Sequence, residues 1–223
     1  FCRERGILSV IDNTFASPVN YRPLEAGFDV EVHSATKYLN GHSDLVAGCV
    51  ISTAAIIDRV THKLNHLGGT LDPHACFLLQ RGMKTLALRV AQQNENAAYL
   101  AQRLADHPAV AHVNYPSLND HPHRVRAERL FAGFGGVLSF DVVGGGAEAQ
   151  GVMDRLGLAV DAPSLGGVET LVSRPAVSSH AGQAPEQRLA LGISDGLIRV
   201  AVGIEAAEDL WADFGKALAG VRK

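Results

Sequence analysis

His33-Ser34-Ala35-Thr36-Lys37-Tyr38, read together with Val10-Ile11-Asp12-Asn13-Thr14-Phe15 upstream, decides the fold class of this chain. Each follows or closes an apolar run that stops abruptly at polar residues, the pattern of a buried strand with functional groups at its C-terminal end. The run Ile7-Leu8-Ser9-Val10-Ile11 delivers Asp12, and the run Phe28-Asp29-Val30-Glu31-Val32 delivers Ser34, Thr36 and Lys37. In open α/β sheets ligands bind just beyond the carboxyl ends of the strands, so these side chains are predicted to converge on one pocket.

The residue types suit one chemistry. A lysine in a low-dielectric site has a depressed pKa and becomes an amine nucleophile able to condense with an aldehyde. A carboxylate beside a pyridine nitrogen favours the protonated ring, because an opposite charge stabilises the cation. Pyridoxal phosphate needs both groups, and hydroxyls such as those of Ser34 and Thr36 suit its phosphate. Spacing alone leaves a plainer alternative open: a solvent-facing lysine at a strand end and an aspartate stabilising a turn fit the same letters.

Further motifs narrow the choice. Gly41-His42-Ser43-Asp44, Arg81-Gly82-Met83-Lys84-Thr85-Leu86, Ser164-Leu165-Gly166-Gly167-Val168-Glu169-Thr170 and Ile198-Arg199-Val200-Ala201-Val202-Gly203-Ile204-Glu205 follow in that order. With the two opening stretches they resemble the signature of the Cys/Met-metabolism family of pyridoxal-phosphate enzymes. That family includes cystathionine γ-synthase, cystathionine γ-lyase, cystathionine β-lyase, methionine γ-lyase and O-acetylhomoserine sulfhydrylase. The likeness covers nearly the whole chain and is specific for the family, much less so for the member.

The resemblance implies an α/β, aspartate-aminotransferase-like architecture (fold type I of pyridoxal-phosphate enzymes). Residues 1–100 would be part of the large, mostly parallel sheet domain and end in a long linking helix, with a smaller α+β domain over residues 101–223. It implies pyridoxal 5'-phosphate as cofactor, Lys37 as the catalytic lysine, Asp12 as partner of the ring nitrogen, and Ser34 and Thr36 as phosphate contacts. It assigns Arg199, with Ser164 as helper, to the α-carboxylate of an amino-acid substrate. Arg199 stands inside an apolar run, where an unpaired arginine is rare, and its planar fork suits a carboxylate; an ion pair with Asp195 or Glu205 is the competing reading. The implied activity is γ-replacement or γ-elimination on sulfur-containing or O-acylated homoserine amino acids. Methionine γ-lyase, O-acetylhomoserine sulfhydrylase or cystathionine β-lyase activity, or a non-catalytic C-terminal fragment, are the alternatives. Family members carry a long segment ahead of the position of Phe1, with a glycine-rich phosphate cup and a ring-stacking aromatic, so this chain is expected to be the C-terminal part of such an enzyme. A homodimer or homotetramer with active sites shared between chains is implied as well. Arg174-Pro175-Ala176 stands where the family often has His-Pro-Ala, and Pro163 occupies a position where members differ. Both are expected to border the distal substrate region.

Composition bounds the remaining classes. At 223 residues, with 47% hydrophobic and 19% charged residues, the chain can bury a large core and is not of the disordered type. A net charge of −3 gives no reason to expect nucleic acid or an anionic membrane as partner. The three cysteines, Cys2, Cys49 and Cys76, are an odd number without paired spacing, which points to a reducing, cytoplasmic compartment. No apolar run approaches the roughly 20 residues needed to span a bilayer.

Along the chain, strands are expected at residues 7–11, 28–32 and 44–51, a short helix at 54–67 and a long helix at 73–107, closed by Pro108. Polar residues Gln92-Gln93-Asn94-Glu95 interrupt the apolar stripe of that helix. Beyond it, strands at 110–115, 136–143, 167–173 and 197–204 alternate with helices at 123–131, 147–156, 185–191 and 206–219. That mixture fits an antiparallel sheet with helices on one face. His62 and His66 share a helical face but lack a third ligand, and no metal is expected. Gly144-Gly145-Gly146 precedes a helix without a following Lys-Ser/Thr pair and reads as a turn; Ser178-Ser179-His180 lacks a nucleophile-elbow pattern.

Overall fold

The computed structural model describes residues 1–221, and its strands form two sheets. A 3-10 turn (Arg3–Arg5) leads into β1 (Val10–Asp12), the short helix α1 (Ser17–Asn20), β2 (Val30–Ser34) and β3 (Gly48–Ser52). β1 runs parallel to β2 with Asp12 opposite Val32; β3 returns antiparallel, with Gly48 opposite Ser34. This part of the sheet is therefore mixed, and strand direction is something an apolar run does not encode. Residues in register on neighbouring strands share a face, so Asp12, Val32 and Ser34 lie on one side, Glu31 and His33 on the other.

Helix α2 (Ala54–Leu67) follows and stops at Gly68, whose φ of +77° ends it in the left-handed conformation. Helix α3 (Pro73–Met83) starts cleanly: the Asp72 carboxylate accepts from the backbone N–H groups of His74 and Ala75, and Pro73 takes the first position. The single helix expected from 73 to 107 is instead two, α3 and α4 (Leu86–Ala105). The break has a local cause. Gly82 lies so close to the Asn40 carbonyl that a Cβ would have no room. Lys84 and Thr85 then bond back to Arg81 and Gly82, three residues behind, tightening the turn. The Thr85 hydroxyl donates to Gly82 O (3.2 Å) and accepts from Arg89 Nε (3.0 Å).

The second sheet is built from β4 (Val110–Asn114), α5 (Arg124–Leu130), β5 (Val137–Val142), α6 (Gly146–Arg155), β6 (Val160–Asp161), β7 (Leu171–Ser173), α7 (Pro185–Ala190), β8 (Leu197–Ala201) and α8 (Ala207–Leu218). Its order is β4-β5-β8-β7-β6, antiparallel except for the β6–β7 pair. The second half of α4, with α6 and α8, covers one face: Leu100, Leu104, Phe140, Val152, Ile198, Leu210 and Phe214 form the main core. The strand expected at 167–173 shrinks to β7, because Ser164 and Gly166 have φ of +113° and +80° and make residues 164–170 a loop. Gly144 and Gly145, at φ +92° and +79°, form the turn before α6. Among the described residues no helix is long and apolar enough to cross a membrane.

Alternation along β8 decides what faces what. Ile198 and Val200 enter the helix-covered core, so Arg199 and Ala201 point to the other face. There Ala201 packs with Leu171, Leu165, Val90 and Tyr38, a smaller apolar cluster that presses the second sheet against the loop following β2.

Candidate active site

The loop after β2 is a tight turn. Lys37 N donates to Ser34 O, and Gly41 N to Lys37 O. The Lys37 amine projects from it to Ser164 of the other sheet region, Nζ donating to Ser164 Oγ at 2.6 Å across 127 residues of sequence. From β8, Arg199 donates to the carbonyl oxygen of the same Ser164. Burial pushes the Lys37 amine below the usual lysine range, and the Arg199 charge lowers it further. Arg199 is itself half-buried. Neither acid offered as its partner takes it: Glu205 accepts from Thr170 N (2.5 Å) and Thr170 Oγ1 (2.8 Å), and Asp195 pairs with Arg188 (2.5 Å). Among the described residues Arg199 has no carboxylate partner, and its fork is available to one from outside.

Asp12 sits at the end of β1, exposed, and accepts from Thr14 N at 2.9 Å. Hydrogen bonds from the Thr14 side chain and backbone hold its carboxyl below the usual carboxylate range, with a smaller contribution from His33. The Thr14 hydroxyl accepts from Ser34 N at 2.8 Å, which ties the ends of β1 and β2 together. Asp12, Ser34 and Lys37 thus emerge at one end of one sheet, as expected. Among the described residues the Ser34 hydroxyl has no hydrogen-bond partner and is available to an anion. That of Thr36 is engaged, donating to Ala47 O (3.2 Å) and accepting from Ala47 N (3.0 Å). A cleft of about 750 Å³ reaches the site at Thr36 and Ser164 and is lined also by Asp44, Val46, Pro163 and Glu169, but not by Asp12, Ser34, Lys37 or Arg199. Pro163 also lines a second, smaller cavity with Gln150 and Arg174; Arg174 directs its guanidinium to Gln150 Oε1 and Asp195 O, both at 3.0 Å, and so braces α6 and the turn before β8.

These residues fit pyridoxal phosphate on their own chemistry. They supply an amine held toward its neutral form, an aspartate held anionic, an unengaged hydroxyl on the strand between them, and an arginine without an acid partner.

Several residues that build the site were not singled out from the sequence. On α4, Arg89 donates to Tyr38 O (3.0 Å) and Gly82 O (2.9 Å), Gln93 to Gly167 O (2.7 Å), and Asn96 to Gly203 O (3.1 Å) and Glu205 O (2.8 Å). All three side chains are buried. Tyr38 is buried too, its hydroxyl accepting from Gly136 N and its pKa pushed up to about 12 by desolvation. On the face of the sheet opposite Asp12 and Ser34, Glu31 Oε1 accepts from Asn13 Nδ2 (2.8 Å) and pairs with His33 Nε2 (2.6 Å). The helical spacing 89, 93, 96 was the available signal for the α4 residues. His62 and His66 form no metal site: His66 Nδ1 bonds to His62 O at 2.6 Å, the rings stack, and no metal-holding cluster occurs among the described residues.

Comparison with known proteins gives a consistent picture. A family model described as Cys/Met metabolism PLP-dependent enzyme matches residues 1–219. The chain is 44% identical over 220 residues to cystathionine gamma-synthase 1, chloroplastic, of Arabidopsis thaliana, covering 99% of this chain and 39% of the relative. It is 45% identical over 220 residues to cystathionine gamma-lyase of Bacillus subtilis, covering 98% and 58%. The crystal structure of cystathionine gamma synthase from Xanthomonas oryzae pv. oryzae, in complex with aminoacrylate and cysteine, superposes with a TM-score of 0.93 at 43% identity, covering 98% of this chain and 57% of that one. The chain thus spans about two fifths to three fifths of the length of these relatives.

Proposed function

The chain belongs to the Cys/Met-metabolism family of pyridoxal-phosphate-dependent enzymes and has the corresponding part of their α/β fold, and we propose that its protein performs γ-replacement or γ-elimination on sulfur-containing or O-acylated homoserine amino acids. The observation that carries this reading is the convergence of Lys37 and Arg199, from different sheets, on the two oxygens of Ser164.

When bound, pyridoxal phosphate supplies an electron sink that makes bonds at the amino-acid α- and β-carbons labile. The chain's own residues do the rest. Arg199 receives the α-carboxylate bidentately, and Ser164 beside it completes the seat. Because both residues reach toward Lys37, the α-carbon of a substrate so seated lies next to the lysine amine. That amine, held toward its neutral form by burial and by Arg199, takes the α-proton, and proximity makes the transfer effectively intramolecular. Once it has passed that proton on, the same amine can take a proton from the β-carbon, the removal that must accompany departure of the γ-substituent and that γ-chemistry requires beyond α-proton abstraction. Asp12, kept anionic by Thr14, provides the negative charge that a protonated pyridine ring requires. Ser34 offers its hydroxyl to the phosphate, and Thr36 would do so only by releasing Ala47 O.

The division into two domains near residue 100 belongs to this reading: the first half of α4 holds the lysine loop and its second half enters the other core. Exposed apolar side chains on α2, α3 and α4 (Leu67, Phe77, Leu88) support assembly into a homodimer or homotetramer. Three unpaired cysteines support a reducing, cytoplasmic setting.

The test is spectroscopic and kinetic. The full-length protein should show a visible absorption band with pyridoxal phosphate that borohydride removes and that Lys37→Ala lacks. Supplied with O-acetylhomoserine and cysteine, with cystathionine, or with methionine, it should turn over at least one of them by cleavage at the γ-carbon. Cystathionine cleaved to cysteine, 2-oxobutanoate and ammonia reports γ-elimination, whereas homocysteine, pyruvate and ammonia would replace the γ-reading with β-elimination. A wild-type protein without a Lys37-dependent band would sink the enzymatic reading.

A further inference from the structure

Gln93, like Asn40, is a fully buried polar residue that leaves its side-chain oxygen without a partner among the described residues. It lies in the middle of α4, fully buried, between Val90 and Ala97 of the packed stripe. Its Nε2 donates to Gly167 O at 2.7 Å, 74 residues away, while its Oε1 is buried with no partner among the described residues. A glutamine that leaves one carboxamide atom unsatisfied is a poor choice for packing alone, since an apolar side chain of the same length would fill the space without that penalty. The hydrogen bond it does make is what distinguishes it.

The recipient is the loop that carries Ser164. Ser164 has φ +113°, a conformation that L residues rarely adopt, so the loop does not hold this shape by local preference. Its carbonyls are fixed from outside: Ser164 O by Arg199, Gly167 O by Gln93 and Val168 O by Ile204 N. Gly166 lies against the lysine loop so closely that a Cβ would come 2.6 Å from Tyr38 N. The same helix fixes the lysine loop one turn earlier, through Arg89 to Tyr38 O, and the end of β8 one turn later, through Asn96 to Gly203 O. Residues four apart on a helix are about 6 Å apart along its axis, so α4 acts as a rigid ruler between three loops.

We propose that Gln93 is a positioning residue for the substrate seat: its bond to Gly167 O holds the 164–170 loop at the height where Ser164 meets Lys37 and Arg199. The inference rests on the reading of Ser164 and Arg199 as the carboxylate seat, but its primary readout does not require turnover.

The experiment uses the full-length protein loaded with pyridoxal phosphate and the substitution Gln93→Met, which keeps length and removes the donor. Hydrogen–deuterium exchange should speed up by about tenfold or more at the two amides whose bonds tie this loop down, Thr170 N to Glu205 Oε1 and Ile204 N to Val168 O, with no comparable change in residues 36–41, still held by Arg89. Because the seat holds the carboxylate in ground state and transition state alike, KM for the amino acid should rise about tenfold with kcat within about threefold of wild type. Unchanged exchange at Thr170 and Ile204 overturns the proposal, whatever the enzyme's substrate. So does faster exchange spread over the whole molecule, or local loosening with KM unaltered, since each describes a merely structural residue. If the methionine variant does not fold, Gln93→Asn, which retains polarity but falls one methylene short of Gly167, is held to the same outcomes. A wild-type protein lacking a Lys37-dependent absorption band would refute the catalytic reading instead, and the exchange measurement would still decide Gln93.

Discussion

Replacing Gly166 by alanine tests whether the contact between the two loops sets the site. Gly166 has φ +80°, and an added Cβ would lie 2.6 Å from Tyr38 N, 3.0 Å from Tyr38 Cγ and 3.1 Å from Lys37 C. An alanine in the left-handed region costs about 1–2 kcal/mol. The overlap is separate: non-bonded carbon contacts settle near 3.5–4.0 Å, so the loops must part by about 0.5–1 Å. Overpacking of this kind costs about 1–3 kcal/mol, and two of the three atoms struck are backbone, which has no rotamer to escape into. The total is about 2–5 kcal/mol, against typical stabilities of about 5–15. The displacement falls on the residue next to Lys37, so kcat/KM should fall by about a hundredfold for a 1 Å misplacement. Gly68 is the control. Its φ of +77° is nearly the same, but nothing lies within 4 Å of a Cβ there, so Gly68→Ala should cost only the backbone part, about 1–2 kcal/mol, with activity unchanged. Denaturant unfolding and steady-state kinetics on both variants give the comparison. If Gly166→Ala proves as mild as Gly68→Ala in both, the loop contact does not position Lys37.

Other substitutions test single contacts. Arg199→Met removes the smaller of the two causes that lower the Lys37 pKa and leaves burial in place. The amine should therefore titrate at higher pH than in wild type yet below an ordinary lysine, as read from the pH dependence of its acylation in cofactor-free protein; no shift, or a downward one, contradicts the electrostatic account. Glu31→Leu removes the acceptor shared by the Asn13 amide and the His33 ring, both buried, and leaves Asn13 Nδ2 only its bond to Tyr21 O. Leaving a buried polar group unsatisfied should cost about 1–3 kcal/mol by urea unfolding, and a loss below about 1 kcal/mol would mean these bonds are not holding the strand ends. Arg174→Met removes bonds to Gln150 and Asp195 O; it should cost about 1–3 kcal/mol of stability while KM stays within twofold or so, and a changed substrate preference would show that Arg174 borders the substrate as well.

The parts of this site that can be read from the letters share one property: a polar residue ends, follows or interrupts an apolar run, although the run before Asp12 is itself largely exposed. Asp12 ends one run, Ser34 and Lys37 follow another, and Arg199 stands inside a third. Strand direction leaves no such mark, since an antiparallel β3 and a parallel one present the same apolar letters. Arg89, Gln93 and Asn96 are harder still, because their partners are backbone carbonyls, which every residue has and no sequence displays. In a helix a glutamine reads as surface by default, and a polar run at 92–95 looks like an interruption of the stripe. Phase is the clue that separates the cases: 89, 93 and 96 share the side of α4 that carries Val90, Ala97 and Leu100. A polar residue in phase with a buried stripe cannot face water, so it must have a partner, and when no complementary side chain is in reach that partner is a carbonyl on a loop. Of the loops α4 contacts, two carry Lys37 and Ser164, so the helix that looks least chemical in the sequence fixes where the chemistry can occur.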